Sequence, residues 1–313
     1  MKVTFTYDYG EENINKIRKL GYEVIVINEK EITNNEFVND SDILVCYNPF
    51  DKINLDEMKN LKYILLSSIG FDQLPLEKII SRDIIITNNK GGYSIPMGEY
   101  IVLSMLEMYK NSKSKFKNQS MKKWKIDTSI LELYDKNVLF VGTGTIAKEA
   151  IKRLYGFDMN VYGVNTSGKN IENIKKCFKF SQIASIISDM DFVILTLPYT
   201  QKTHHIFNYD LLSKMKNDSC LINVSRGKVI DEKDLIIHLE NGKFKGISLD
   251  VFDEEPLSET SKLWNFENVN ISSHSSWISE MRNIRRFKYT YQNLKSIIEG
   301  KKLINVVNIE RGY

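Results

Sequence analysis

Cysteine is scarce in this chain: Cys46, Cys177 and Cys220 stand far apart among 313 residues, and no CxxC occurs. That excludes a disulfide-stapled or thiolate-metal scaffold and points to a reducing compartment. Proline numbers five and glycine sixteen, too few for a collagen-like or proline-rich architecture. An excess of one charge is also missing. Forty-three Lys and Arg against 40 Asp and Glu leave a formal net charge of +3, which is no footprint for nucleic acid. Long apolar runs are absent: the most apolar long segment, Tyr100 to Tyr109, contains Glu107 and falls short of the roughly 18–20 residues a membrane span needs. The opening MKVTFTYDYG carries Asp8 where a leader would need an apolar core. The expectation is a cytoplasmic protein with neither a membrane nor a nucleic-acid partner.

What is present is alternation. Hydrophobic residues make up 42% and charged residues 27%, a globular composition long enough for two domains. Val3–Tyr7, Glu23–Ile27, Asp42–Cys46, Tyr63–Ser67 and Ile84–Ile86 read as buried strands with helix-compatible stretches between them. That is the pattern of a parallel sheet covered by helices. Gly91 to Pro96 is a breaker cluster, read as a hinge, and an amphipathic helix from about Met97 to Lys113 should follow. The basic run Ser112 to Lys125 reads as a solvated surface. A second series then begins: strand Val138–Val141, helix Ile146–Leu154, strand Asn160–Val164. Later strands are read at Phe192–Leu197, Cys220–Val224, Gly246–Leu249 and Val269–Ser272, and a helix over Glu280–Glu299 stops at Gly300.

Val138 to Ala147 reads VLFVGTGTIA, a G-x-G-x-x-A between a strand and a helix. This is where a dinucleotide fingerprint belongs. Gly142 permits the tight turn, and Gly144 lets backbone approach a pyrophosphate at the helix N-terminus. Ala147 is the smallest replacement for a third glycine that serves only packing. The end of the next strand discriminates between nucleotides. An NAD site usually carries Asp or Glu about 20 residues on, to bind the ribose 2′-OH. Here Asn165 stands there, followed by the hydroxyls of Thr166 and Ser167 and the charge of Lys169. A carboxylate would repel a 2′-phosphate and an amide does not, so these residues favour NADP over NAD.

Three later segments carry chemistry. Arg226 lies just past the apolar run ending at Val224, Asp250 to Glu255 just past Gly246–Leu249, and His274 just past Val269–Ser272. Polar groups at consecutive parallel strand ends converge on the edge where such sheets bind ligands. With these residues in place, the chain resembles the D-2-hydroxyacid dehydrogenases, the family of phosphoglycerate dehydrogenase and glyoxylate/hydroxypyruvate reductase. Ser68-Ile69-Gly70-Phe71-Asp72 resembles that family's substrate-carboxylate loop and Met97-Gly98-Glu99 its interdomain V-A-E. Leu197-Pro198-Tyr199-Thr200 with Thr203 resembles L-P-L-T-x-x-T, and Asn305-Val306-Val307-Asn308 resembles the closing N-V-V-N.

The resemblance implies a fold, roles and partners. The fold would be α/β, with two doubly wound parallel-sheet domains: a Rossmann nucleotide-binding domain at 97–279, inserted into a flavodoxin-like substrate domain formed by 1–96 and 280–313. Arg226 would hold the substrate carboxylate or carbonyl. His274 would be the general acid in reduction and the base in reverse, with Glu255 accepting a hydrogen bond from its ring. Ser68, Ile69 and Gly70 would bind the substrate carboxylate from the other domain. The nucleotide set would extend to Thr145, Ile146, Leu197, Pro198, Thr203, Val224 and Ser225, with Asp250 near the nicotinamide amide. Closure of a cleft would exclude water, and the Leu103–Tyr109 and Trp124 regions would bury a homodimer interface.

Some features depart from the pattern or bear on substrate. The usual T-P-H-x-G is here Ser272-Ser273-His274-Ser275-Ser276, without the proline or the glycine. His204-His205 lacks further ligands, so no metal site is expected. The loop Val45 to Phe50 has Tyr47 and Phe50 but no cation before Lys52, which disfavours a phosphorylated substrate and suggests a small 2-oxo acid with an uncharged side chain. Phosphoglycerate dehydrogenase proper, a nucleotide-sensing corepressor-like protein of the same fold, and formate dehydrogenase are the alternatives. The last needs no acid–base His–Glu pair.

Overall fold

The computed structural model describes residues 1–309, so the last four residues of the 280–313 segment lie outside the described residues. The chain divides into two compact units, one of Met1–Tyr93 with the segment from Ser279 onward, the other of Ser94–Ile278.

The first unit holds a five-stranded parallel sheet: β1 (Lys2–Phe5), β2 (Glu23–Val26), β3 (Ile43–Cys46), β4 (Tyr63–Leu66) and β5 (Ile85–Thr87). The strand order β2-β1-β3-β4-β5 is that of flavodoxin-like folds. β3 (ILVC) is buried at every position, as expected of a central parallel strand covered on both faces. One face packs through Val3, Phe5, Ile14 and Ile17 onto Phe287 and Leu294 of the helix Arg282–Ile298, the other through Leu44, Ile64, Ile79 and Ile86. The C-terminal segment returns to this sheet. Val306 bridges Thr87 in antiparallel sense, and buried Asn293 donates to Thr87 Oγ1 (3.2 Å) while accepting from Ile304 N (2.9 Å). Thus the chain's end, far away in sequence, completes the first unit.

The second unit holds β6 (Asn137–Val141), β7 (Asn160–Asn165), β8 (Lys176–Lys179), β9 (Phe192–Leu195), β10 (Cys220–Asn223), β11 (Gly246–Leu249) and β12 (Val269–Ile271). The order β12-β11-β10-β9-β6-β7-β8, all parallel, is the Rossmann order extended by one strand. β8 (KCFK) escapes sequence reading because it is an edge strand in which only Cys177 is buried.

The first long helix also differs from expectation. It runs Ser94–Tyr109, three residues earlier than read, because Pro96 is tolerated in a first turn whose N–H groups have no helical partner anyway. It ends before Asn111, which adopts a left-handed conformation (φ 50°), and a second helix, Ser112–Ser120, follows with no buried residue. The basic run is therefore helical as far as Ser120 and still solvated. All three cysteines are buried and free. Burial drives the Cys46 thiol well up and the Cys220 thiol to about 12, so neither supplies a thiolate at neutral pH. Among the described residues no helix is long and apolar enough to cross a membrane.

Candidate active site

Open α/β sheets bind ligands outside the carboxyl ends of their strands, where the strand order reverses. In the second unit that point lies between β6 and β9, and Gly142 and Leu197 meet there. Gly142 has φ 96°, and a Cβ on it would lie 2.8 Å from Leu197 N and 2.9 Å from Thr196 C. Only glycine supplies both that turn and that approach. Beyond it, the helix Thr145–Leu154 begins without a side-chain cap, and nothing lies within 4 Å of where a Gly144 Cβ would point. Exposed helix N–H groups with open backbone before them fit the pyrophosphate of a dinucleotide.

At the end of β7 the Asn165 amide organises its own turn. Its Oδ1 accepts from Gly168 N (2.7 Å) and Ser167 N (3.1 Å), and its Nδ2 donates to Thr143 Oγ1 (3.1 Å) and Lys169 O (3.0 Å). Thr166, Ser167 and Lys169 are left exposed. After β9, Thr203 closes the loop by donating to Pro198 O (2.9 Å) and accepting from Thr200 N (2.7 Å).

The three chemical segments follow β10, β11 and β12, three neighbours in the sheet. Arg226 is oriented by its own loop: Nη1 donates to Ser225 O (2.8 Å), and buried Asn223 ties the loop by donating to Arg226 O (2.9 Å) and accepting from Ser225 N (3.0 Å). Glu255 is pinned at one oxygen by Phe252 N (3.0 Å), and its other oxygen lies 2.7 Å from His274 Nδ1. Since a carboxylate only accepts, Nδ1 carries the hydrogen and Nε2 is the remaining ring nitrogen. The His274 and Glu255 side chains are 38% and 35% exposed, so the pair is accessible to a ligand yet held in place.

Sequence reading did not anticipate what holds His274. The residue sits in a left-handed conformation at φ 49°, uncommon for a non-glycine residue. Fully buried Asp250 anchors this turn. Its carboxylate accepts from Ser272 Oγ (2.6 Å), Ser275 N (2.8 Å) and Ser276 N (3.1 Å), and its backbone O accepts from His274 N (2.8 Å). Ser272 Oγ is also 2.6 Å from the Tyr100 hydroxyl on the first long helix, and Trp277 Nε1 donates to His274 O (2.7 Å). Ser272, at the usual threonine's position, thus joins the turn through its hydroxyl, and Ser276, at the usual glycine's, through its backbone N–H. A lone Asp followed by an apolar pair gave no signal of this, because its partners lie 22 to 26 residues on.

Ser68, Ile69 and Gly70 follow β4 in the first unit. Ser68 Oγ donates to Gly70 O (2.7 Å) and Asn88 Nδ2 donates to Ile69 O (2.8 Å). The adjacent rings of His204 and His205 stack at 3.9 Å, and His205 lies within 3.4 Å of Asp231 and 3.7 Å of Asp253.

Comparison with known proteins bears on this arrangement. Residues 102–276 match the family described as D-isomer specific 2-hydroxyacid dehydrogenase, NAD binding domain. A probable 2-ketogluconate reductase of Dictyostelium discoideum is 30% identical over 82% of this chain and 79% of its own length. A glyoxylate reductase of Thermofilum pendens is 28% identical over 87% of this chain and 83% of its own. Among solved structures, an NADPH-dependent glyoxylate/hydroxypyruvate reductase from Sinorhizobium meliloti, in complex with NADP and sulfate, superposes with a TM-score of 0.81 at 23% identity, covering 100% of this chain and 99% of that one.

Proposed function

Since this chain belongs to the D-isomer specific 2-hydroxyacid dehydrogenase family, and is therefore an NAD(P)-dependent oxidoreductase, we propose that it reduces a small 2-oxo acid with His274 as proton donor and NADPH as preferred cofactor. The observation that carries the reading is the 2.7 Å bond between His274 Nδ1 and Glu255, with Arg226 past the neighbouring strand end.

When bound, the reduced nicotinamide supplies the hydride for the 2-carbon. Gly142, Gly144, Thr145 and Ile146 would hold the pyrophosphate, and Leu197, Pro198, Thr203, Val224 and Ser225 would contact the rest of the nucleotide. Arg226 binds the carboxylate or carbonyl oxygen through charge-assisted hydrogen bonds. With Nδ1 committed to Glu255, His274 gives its Nε2 proton to the oxygen that gains charge, and takes it back in the reverse direction. Ser68, Ile69 and Gly70 hold the substrate carboxylate. Asp250 keeps the His274 turn in place. A purely nucleotide-sensing role has no use for this acid–base pair.

The cofactor preference rests on the end of β7, where no acidic side chain stands between Asn165 and Lys169 and two hydroxyls and an ammonium group are exposed. We expect oxidation of NADPH with glyoxylate, hydroxypyruvate, pyruvate or longer 2-oxo acids, slower with NADH, followed at the reduced-nicotinamide absorbance. Asn165→Asp should lower kcat/KM for NADPH by about tenfold or more while sparing NADH. Turnover with no member of the panel, despite nucleotide binding, would replace the enzymatic reading with the binding-protein one. Faster turnover with NADH would remove only the cofactor preference.

The proposal includes a homodimer. Leu103, Phe116, Trp124 and Ile126 are 52%, 67%, 101% and 81% exposed within one stretch of the second unit, a concentration of apolar surface that marks interaction sites. Light scattering should give twice the 36.4 kDa chain mass, and Trp124→Lys with Ile126→Lys should give the chain mass. A monomer from the unsubstituted protein would refute this.

A further inference from the structure

In the first unit the strand order reverses between β1 and β3, so Tyr7 and Tyr9 after β1, and Tyr47 after β3, stand at that unit's own ligand-binding edge. Onto this edge the last helix sends Arg286. Its guanidinium carbon lies 5.0 Å from the Tyr7 ring centroid and 5.8 Å from that of Tyr9, within cation–π range. Arg286 Nε is buried without a hydrogen-bond partner, as are the Tyr9 hydroxyl and Asn283 Oδ1. Asn283 Nδ2 donates to the Tyr7 hydroxyl (2.7 Å) and so fixes that ring. Among the described residues Arg286 forms no ion pair. The carboxylate at the same edge, Glu29, is already taken up by Thr6 Oγ1 (2.6 Å), Tyr47 N (2.7 Å) and Asn48 N (3.0 Å).

The cluster adjoins the Ser68–Gly70 loop. Tyr93 donates its hydroxyl to Ser67 O. Burial pushes its phenol up, and the nearby Arg286 charge is the largest opposing influence. The buried Asn89 amide also holds the phenol down. A half-buried cation with aromatic faces for company and an unmade N–H bond is costly to retain without an anion to meet it. A planar carboxylate matches the edge of a guanidinium.

We propose that Arg286, framed by Tyr7 and Tyr9, is a subsite for a second carboxylate, and that the favoured substrates are 2-oxo acids with a carboxylate at the far end of the side chain. This rests on the reductase reading above. It replaces the expectation of an uncharged side chain, which came from the cation-free 45–50 loop: the cation arrives from the last helix instead. β1 and β4 are two strand spacings apart, roughly 10 Å, so the second anion sits several bonds from the one held at Ser68–Gly70.

The test compares 2-oxoglutarate and 2-oxoadipate with the uncharged 2-oxopentanoate and 2-oxohexanoate, in the unsubstituted protein, Arg286→Met and Arg286→Gln. Calorimetric binding of glutarate, which cannot be reduced, is measured in parallel. The unsubstituted protein should favour the diacids, and either variant should lower their kcat/KM by about 10²-fold while changing that of the uncharged acids and the KM for NADPH by less than about threefold. Glutarate binding should be lost in both variants. Equal turnover of diacids and uncharged acids, or an equal fall for both classes in the variants, would overturn the subsite. Glutarate binding that depends on Arg286, in a protein that reduces none of the acids, would uphold the subsite and refute the reductase reading instead.

Discussion

Replacing His274 with asparagine is expected to lower kcat by about 10²–10⁴-fold, the contribution of one positioned general acid, and to leave NADPH affinity within about twofold. Asparagine is the informative replacement because residue 274 is left-handed at φ 49°. Asn tolerates that conformation better than alanine, so lost activity reports the missing imidazole rather than a rearranged turn. The effect should fall on kcat, since the proton is needed only as charge develops on the oxygen. Glu255→Gln should give a smaller loss in the same parameter. Its single amide oxygen can face Nδ1 or Phe252 N but not both, as the two carboxylate oxygens do, and the negative charge that stabilises the imidazolium is removed. Rates and equilibrium nucleotide titrations on the three proteins decide the matter. A kcat within about threefold of the unsubstituted value in His274→Asn would remove His274 from the chemistry.

The second large effect concerns stability and activity together. Gly227 follows Arg226, and a Cβ added to it would lie 1.8 Å from Phe252 C, 2.0 Å from Phe252 O and 2.4 Å from Asp253 N. These are backbone atoms of the segment that carries Glu255, so no side-chain rotation relieves the clash. The loops after β10 and β11 therefore touch backbone to backbone, and that contact sets the spacing of Arg226 and Glu255. Gly227→Ala should destabilise the protein by about 3 kcal/mol, the upper end of ordinary overpacking, seen as a fall in Tm of roughly 6–12 °C. Its kcat/KM at a temperature where it remains folded should fall as well, because Arg226 and Glu255 are forced apart. Gly144→Ala, with nothing within 4 Å of its Cβ, is the matched control and should keep its Tm. An unchanged Tm in Gly227→Ala would show that the two loops move apart freely.

Much of the molecule was legible residue by residue. The central strands could be read because buried parallel strands are continuous apolar runs, as in FVIL and ILVC. β8 could not, because an edge strand buries one residue in four and leaves no such run. The start of the first long helix was read late because Gly91 to Pro96 looked like a breaker, whereas proline in a first turn is compatible with a helix. Within the candidate site, Arg226, Glu255 and His274 each follow a strand that was visible, and the 2.7 Å His–Glu bond joins two residues that the family resemblance pairs.

Two things belonged to the tertiary structure alone. The first is the anchoring of His274: Asp250, Ser272 and Tyr100 come from three separate segments, and their hydrogen bonds exist only because β11, β12 and the first long helix pack together. The second is the charge at the edge of the first unit. The loop beside β3 carries no cation before Lys52, and Arg286 reaches Tyr7 and Tyr9 across some 280 residues because the last helix packs back onto the first sheet. The sequence by itself determined what is written in local periodicity and in motifs at strand ends: two parallel α/β units, a glycine turn suited to a dinucleotide, and an Arg, Glu and His set. Long-range pairings depend on the relative placement of whole elements, which no local pattern encodes, and so the positioning of the acid and the charge of the second subsite were decided by packing.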